Sequence, residues 1–428
     1  MVALIFLLLV VLILLGVPIA FALAGAGFVG IWVVTGNIGQ AVAILGISSY
    51  SSVAEYLLST VPLFILMAFF ASYSGVAREL FTAIANWTSG IRGGMAIATV
   101  GATSVFGAMS GASVAAASVM SEIAIPEMRR RGYADELSAG AVAVGATTNI
   151  LIPPSIALVV YGLLTDTSLG ALLIAGIVPG VLLALILSLL VYVWVSLRPA
   201  TAPEIYVVPW RERFLSVARI WPSVILIGGI LFMLYSGIAT PTEVGALGAF
   251  LALLIALMLR RLSRGQFMTA LEQTLRATAM IFLIFVGAKV FGYFLTLSQI
   301  PQHVVAVVLE MELNRWVVLV GIIVSYFAIS MFMDEMPLMV LTLPLTFPIV
   351  TSLGFDPVWF GIMTMMMVAM GLVFPPVGMV SFVVSASGRV ELTKVFKGAS
   401  ILMMAIVITT ILLMIFPEIA LFLPATMR

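Results

Sequence analysis

The chain is 428 residues long, 63% hydrophobic and only 9% charged, with a mean hydropathy of +1.28. A water-soluble domain is about half apolar and about a quarter charged, so this composition excludes a soluble enzyme and indicates a polytopic membrane protein. Nineteen basic and 18 acidic residues leave a net charge of +1 and no basic surface for nucleic acid; the absence of Cys excludes disulfide and thiol chemistry, and the single His303 leaves little for zinc or haem.

The first 54 residues carry no Asp, Glu, Lys or Arg, an apolar run far longer than the roughly 7 to 15 residue core of a cleaved signal peptide. With about 20 apolar residues needed to cross a ~30 Å hydrocarbon core, spans are expected at 3–22, 26–46, 55–75, 137–165, 171–197, 220–236, 242–260, 277–297, 357–387 and 398–423, ten crossings in all. The stretches 92–127 and 315–350 are too long for one span and are interrupted by small, polar or proline residues, so each is expected to be a re-entrant hairpin. Lys and Arg gather at Arg78 and Arg92, at Arg129 to Arg131, from Arg198 to Arg219, at Arg260, Arg261 and Arg264, and at Arg389, Lys394 and Lys397, which assigns these loops to the cytoplasm. Loops 166–170, 236–241, 298–303 and 351–356 carry no Lys or Arg and are assigned to the outside, as are both termini. These assignments alternate correctly only if both hairpins enter and leave on one side.

Sliding the chain on itself by 222 positions aligns Pro126 with Pro348, Gly132 with Gly354, Pro153-Pro154 with Pro375-Pro376, and Gly176 with Gly398; nearer the start an offset of 223 matches Pro18 with Pro241 and Gly25 with Gly248. Each half then holds five crossings and a hairpin, and an odd number of crossings turns the second copy over. The expected fold class is an all-α polytopic membrane protein built as an inverted repeat, the construction of secondary transporters whose sites lie near mid-membrane between the halves. Its parts are a first repeat at 1–202, a cytoplasmic connector at 203–219 and a second repeat at 220–428. The stretch 199–219, with Pro199, Pro203, Trp210 and several Arg, reads as amphipathic and suited to lie along the headgroups.

Proline lacks an N–H and opposes the carbonyl four residues earlier, so Pro153 and Pro154 should break a span and bare the carbonyls of Asn149 and Ile150, and the second pair those of Gly371 and Leu372. Bare carbonyls cost free energy in hydrocarbon unless protein, water or an ion meets them. The first hairpin tip, Gly107-Ala108-Met109-Ser110-Gly111-Ala112-Ser113, is small and carries two hydroxyls suited to closing such a break. Carbonyl and hydroxyl oxygens without a carboxylate suit a monovalent hard cation such as Na⁺. The bland alternative is that Pro-Pro merely kinks helices; two copies opposite two hairpins favour ion sites.

At the second tip, from Ser330 to Pro337, Asp334 has two readings of nearly equal weight, a cation or hairpin contact and a helix N-cap. Lys289 lies mid-span, and its long stem favours a structural role over a meeting with substrate. Thr240-Pro241-Thr242-Glu243 reads as a capping box opening a span. His303 is expected in a solvated outer loop, and the 25 Met residues are read as adaptable packing.

In the motifs Ser104 to Ser113, Pro126-Glu127-Met128 before Gly132-Tyr133, Ile150-Leu151-Ile152-Pro153-Pro154-Ser155, Ala175 to Gly180, Thr240 to Glu243 and Pro375-Pro376-Val377-Gly378, the chain resembles over its whole length the large membrane subunit of tripartite ATP-independent periplasmic (TRAP) transporters. The resemblance implies an Na⁺-driven importer of an organic acid in the bacterial inner membrane. A periplasmic binding protein would deliver substrate, a small four-helix membrane subunit would brace the scaffold, and the hairpins and broken helices would move as an elevator. It places a first Na⁺ site at Ser110 and at carbonyls of Asn149, Ile152 and Pro154, with Ser113 and Thr147 close by, and a second at carbonyls of Ser330, Gly371 and Phe374, with Val377 following. Thr148, Ser155 and Asp334 are the side chains nominated to contact substrate. The family usually has Gly at the positions of Asn149 and Ser330 and Thr at that of Phe374, so the second site has lost a hydroxyl that Ser330 is placed to restore. The rival within transport is a stand-alone Na⁺ or H⁺ coupled dicarboxylate carrier; a channel or membrane scaffold is a different class.

Overall fold

The computed structural model describes residues 2–203 and 207–426. The ends of the chain, which close the two expected repeats, and residues 204–206 of the expected connector lie outside the described residues. The first half contains α1 (Val2–Leu14), α2 (Ile19–Thr35), α3 (Ile38–Val53), α4 (Thr60–Tyr73), α5 (Val76–Trp87), α6 (Gly94–Ser110), α7 (Ser113–Arg130), α8 (Asp135–Thr147), α9 (Ile156–Thr165), α10 (Leu169–Ala175) and α11 (Ile177–Leu197). A connecting helix α12 (Trp210–Arg219) leads, through a bend of 54°, to α13 (Trp221–Ser236). Then follow α14 (Pro241–Met258), α15 (Arg264–Leu297), α16 (Ile300–Glu310), α17 (Arg315–Ser330), α18 (Glu335–Ser352), α19 (Pro357–Gly371), α20 (Met379–Gly388), α21 (Leu392–Leu402), α22 (Met404–Ile415) and α23 (Glu418–Ala425).

The element bounds repeat with the offsets seen in the sequence. Adding 222 to Ser113–Arg130 gives 335–352, the bounds of α18, and adding it to 135 gives 357, where α19 begins. Adding 223 to Ile19–Thr35 gives 242–258, which is α14 but for its first residue, whereas α3 and α4 map together onto the unbroken α15. Packing exchanges partners between the halves. Helix α2 lies on the second half of α15, where Gly27 lets the backbones close: a Cβ there would come 2.8 Å from Phe291 Cα. Its counterpart α14 lies on α4, with Thr60 and Thr242 hydroxyls 2.7 Å apart. Helix α8 meets α21 at Gly140 and Gly398, where a Cβ on Gly140 would stand 2.6 Å from the Gly398 carbonyl carbon, the small-residue approach that substitutes for a hydrophobic driving force in lipid.

Local chemistry explains the ends. Thr240 and Glu243 form the expected capping box, the Thr240 hydroxyl accepting from Glu243 N–H at 3.3 Å while the carboxylate accepts from Thr240 N–H at 2.7 Å. Both long hairpin stretches turn where expected, at Gly111-Ala112 and at residues 331–334, and both Pro-Pro helices are interrupted.

The first two spans need correction. Instead of 3–22 and 26–46, the uncharged N-terminal stretch forms three helices, because Gly16 (φ +81°) with Pro18 stops α1 and Gly36 (φ +67°) with the Asn37 cap stops α2. Hydropathy registers none of these stops. His303 lies inside α16 rather than in a loop, and the amphipathic α5 occupies the stretch between the expected span at 55–75 and the first hairpin. Among the described residues, six helices are long and apolar enough to cross a bilayer alone, or seven with α12 and α13 taken as one, against ten expected crossings, because several spans are assembled from shorter or broken helices.

Candidate functional site

At the first break, α8 tightens into a 3₁₀ turn at Thr148–Ile150 and the chain runs through a cis Pro153-Pro154 bond before Ser155 caps α9. The Ser155 hydroxyl donates to Ile150 O at 2.7 Å and accepts from Leu158 N–H, so the carbonyl expected to be bare at Ile150 is met within the chain. Thr148 donates to the Ser104 hydroxyl at 2.8 Å, joining the break to the hairpin, and Thr147 donates to Val144 O. The tip closes on the break: Ile156 N–H donates to Gly111 O at 3.4 Å, and a Cβ on Gly111 (φ +63°) would stand 3.0 Å from Pro154 O. Ser110 turns its hydroxyl toward Gly107 O and Ala112 O, at 3.3 and 3.5 Å. The buried Ser113 hydroxyl and both amide atoms of Asn149 have no hydrogen-bond partner among the described residues. Asn149 is wholly buried, with its carboxamide in the space that a Cβ on Gly107 would fill. Thus Ser110, Ser113, Thr147, Asn149 and Pro154 lie at one junction, whereas the Ile152 side chain turns away onto Gly180.

The second junction repeats this plan with the residues exchanged. Gly378 N–H donates to Met331 O at 3.2 Å, as Ile156 does to Gly111. Here the tip supplies the side chain and the broken helix the gap: Ser330 Oγ occupies the space of a Cβ on Gly371 and donates to Phe327 O at 2.9 Å and Met367 O at 3.3 Å. The carbonyls of Gly371 and Leu372, expected to be bare, accept from Phe374 and Val380 N–H at 3.2 and 3.0 Å. Short turns past a break satisfy backbone oxygens that helix geometry alone leaves open. Phe374 packs on Phe327 with ring centroids 5.4 Å apart, and Val377 is half-buried. Asp334 is the N-cap of α18, accepting from Glu335 N–H at 2.9 Å. The neighbouring Glu335 is 6% exposed, and its Oε2 has no partner among the described residues. Both carboxylates of this tip, Asp334 and Glu335, stand out in the sequence as ionisable groups at membrane depth, whereas the glycine gaps emerge only from packing.

The loops assigned to the cytoplasm meet one another. Arg129 pairs with Asp135 at 2.6 Å and donates to the carbonyls of Gly388 and Arg389, while Lys394 reaches Asp135 at 3.3 Å and Lys397 reaches Glu136 at 2.7 Å. The hydrogen bond from Arg129, with help from Lys394 and against partial burial, holds the Asp135 carboxyl below the usual carboxylate range. Arg261 joins Glu79 at 2.6 Å and Ser74 O at 3.1 Å. The connector packs there too: Trp87 Nε1 donates to Arg213 O at 3.2 Å, and Trp210 and Phe214 meet the Trp87 ring. Between α9 and α19, Tyr161 donates to Pro357 O at 2.7 Å.

A cavity of about 780 Å³ opens between α3, the turn at 55–58 and α15 on one side and α9, α10 and α18 on the other, bordered by loops that carry no Lys or Arg. Lys289, Ser52, Glu55 and Asp166 are among its lining residues.

Residues 6–419 match the family described as "Tripartite ATP-independent periplasmic transporter, DctM component". The chain is 36% identical over 385 residues, 89% of each chain, to the C4-dicarboxylate TRAP transporter large permease protein DctM of Pseudomonas aeruginosa. It is 31% identical, over 96% of each chain, to the ectoine TRAP transporter large permease protein TeaC of Halomonas elongata, and 31% identical, over 86% of each, to the sialic acid TRAP transporter large permease protein SiaM of Vibrio cholerae. Among solved structures, the Alcanivorax borkumensis YdaH transporter shares the fold with a TM-score of 0.69 over 90% of each chain at 14% identity. The chain is therefore a member of the TRAP transporter large permease family, a multi-pass membrane transport component and not an enzyme.

Proposed function

We propose that this permease imports an organic acid across the bacterial inner membrane, driven by Na⁺, together with a small four-helix membrane subunit and a periplasmic binding protein. The observation that carries the proposal is the pair of matching junctions, each a hairpin tip bonded to a Pro-Pro break, with the Pro-Pro pairs and the donors Ile156 and Gly378 related by the offset of 222 and the tip acceptors Gly111 and Met331 two residues short of it. Relatives named for a C4-dicarboxylate and for sialic acid support a carboxylate substrate. Contacts between the basic loops, and between the ends of α9 and α19, support an inverted arrangement in which five crossings and a re-entrant hairpin recur upside down. The hairpins and broken helices would slide as one elevator body against α2, α4, α14 and α15.

Oxygens at the first junction suit Na⁺: the Ser110 and Ser113 hydroxyls and the Asn149 and Pro154 carbonyls, with the unpartnered Asn149 side-chain oxygen beside them, come without a carboxylate. Ile152 would add its carbonyl, and Thr147 stands close by. At the second junction Ser330, Gly371 and Phe374 would offer oxygens beside Val377, with Phe374 supplying only its carbonyl. Thr148, Ser155 and Asp334, already bonded within the protein, would reach substrate by sharing those bonds.

The test is uptake into liposomes of candidate acids, with the cognate binding protein and an imposed Na⁺ gradient. Uptake that needs both is the expected result. Uptake by the lone chain without a binding protein would favour a stand-alone carrier, and flux that never saturates would favour a channel. In Phe374→Thr and Ser330→Gly variants the dependence on Na⁺ should shift; unchanged dependence in both would remove the second site from the coupling scheme.

A further inference from the structure

The cavity wall holds a group that the two junctions do not use. We propose that Lys289 of α15 with Ser51 and Ser52 of α3 forms a carboxylate-binding subsite, which the organic acid occupies before it reaches the hairpin tips; this rests on the reading of the chain as an organic-acid permease. Lys289 is the one charged residue in 277–297. Among the described residues it has no ion pair, and its hydrogen bond is a long one, 3.4 Å to Ser51 Oγ. Ser52 lines the same cavity, is 3% exposed, and its hydroxyl has no partner among the described residues. Lys289 is exposed along the cavity wall and the Ser52 hydroxyl is buried there, so a charge within a span and a buried lone hydroxyl each stand to gain a partner. A carboxylate answers both, since its two oxygens accept from the ammonium and from the hydroxyls.

Position sharpens the assignment. Lys289 lies eight residues before the end of α15 at Leu297, about 12 Å below it at 1.5 Å per residue. The two acids of the cavity, Glu55 and Asp166, are exposed and sit in the turns at its mouth, where water screens them. An acid that passes the mouth meets an unopposed positive charge on a stationary wall, facing helices α9 and α18 of the body proposed to move. The volume falls in the range of small-molecule sites, about 300–1,000 Å³.

The chain has no Cys, so one introduced thiol reports on the cavity alone. Tyr293, one helical turn from Lys289 and 41% exposed, lines the same wall. Tyr293→Cys in the full-length chain in lipid nanodiscs is labelled with anionic 2-sulfonatoethyl or cationic trimethylammonioethyl methanethiosulfonate, with Lys289 present and with Lys289→Gln; Thr296→Cys serves as a second reporter in case the first misfolds. The ratio of anionic to cationic labelling should fall roughly five- to tenfold when Lys289 is neutralised, as expected for one unit charge a turn away. Succinate should slow labelling with Lys289 present and have no effect on the Lys289→Gln chain. An unchanged ratio, a cationic preference in both chains, or no protection by succinate would each overturn the subsite. Loss of labelling when the small membrane subunit is added would also overturn it, by showing that the subunit covers this wall. Because labelling needs no flux, these outcomes stand apart from failure of the transport reading, which the uptake assay reports.

Discussion

Two glycines and two polar side chains define the junctions. Asn149 fits only because Gly107 has no Cβ, and Ser330 fits only because Gly371 has none. Gly107→Ala should therefore destabilise the chain by about 1–3 kcal/mol, the usual cost of overpacking a close-packed interior. Thermal unfolding in detergent measures it, and Gly107→Ala with Asn149→Gly should recover most of the loss. Gly371→Ala and its combination with Ser330→Gly should do the same, with a coupling of about 1 kcal/mol or more because the residues share one gap. Additive effects in either cycle would refute the exchange. Residue types and spacing made the tips and breaks legible, but neither shows that a side chain from one segment fills a gap in another. The expected bare carbonyls at Ile150, Gly371 and Leu372 failed for a related reason. Ser155, Phe374 and Val380 find those oxygens only once the break has taken its own turn.

At the scale of elements, caps and breakers decide where helices stop, whereas hydropathy decides only how much chain is apolar. The capping box at Thr240 was visible because its partner lies three residues away; the stops at Gly16 and Gly36 were lost within an unbroken apolar run. The ion pairs among α7, α8 and α21 tie the first half of the chain to the second at the end assigned to the cytoplasm. Asp135 has a lowered pKa in the folded protein, so its contribution to stability is present above the unfolded-state value and fades as pH falls through the lower, folded-state value. Asp135→Asn should be slightly less stable than the parent at neutral pH, and the gap between them should close below the usual carboxylate range. Melting curves across pH check this, and the effect should be small because the pair is partly exposed. An equal gap at every pH would show that Asp135 acts through packing rather than charge.

For the whole molecule, the proposed elevator predicts which contacts endure. Thr60 with Thr242 joins α4 to α14 within the stationary body, and Ser118 with Ser387, 3.0 Å apart, joins α7 to α20 within the moving one. Replacing either pair by cysteines in this Cys-free chain and oxidising it should leave most uptake intact in the liposome assay; loss of transport on cross-linking either pair would show that the bodies are wrongly divided. By itself the sequence determined membrane residence, the two hairpin tips, the two breaks and the offset that relates the halves. Each of these follows from composition or from residues close together in the chain, where burial in lipid and the missing N–H of proline leave few choices. Tertiary structure alone decided which glycine faces which polar side chain, that a buried oxygen of Glu335 has no partner among the described residues, and that Lys289 faces a cavity with Ser52. Those pairings join segments far apart in sequence, and the close packing that selects them leaves no periodic trace in either one.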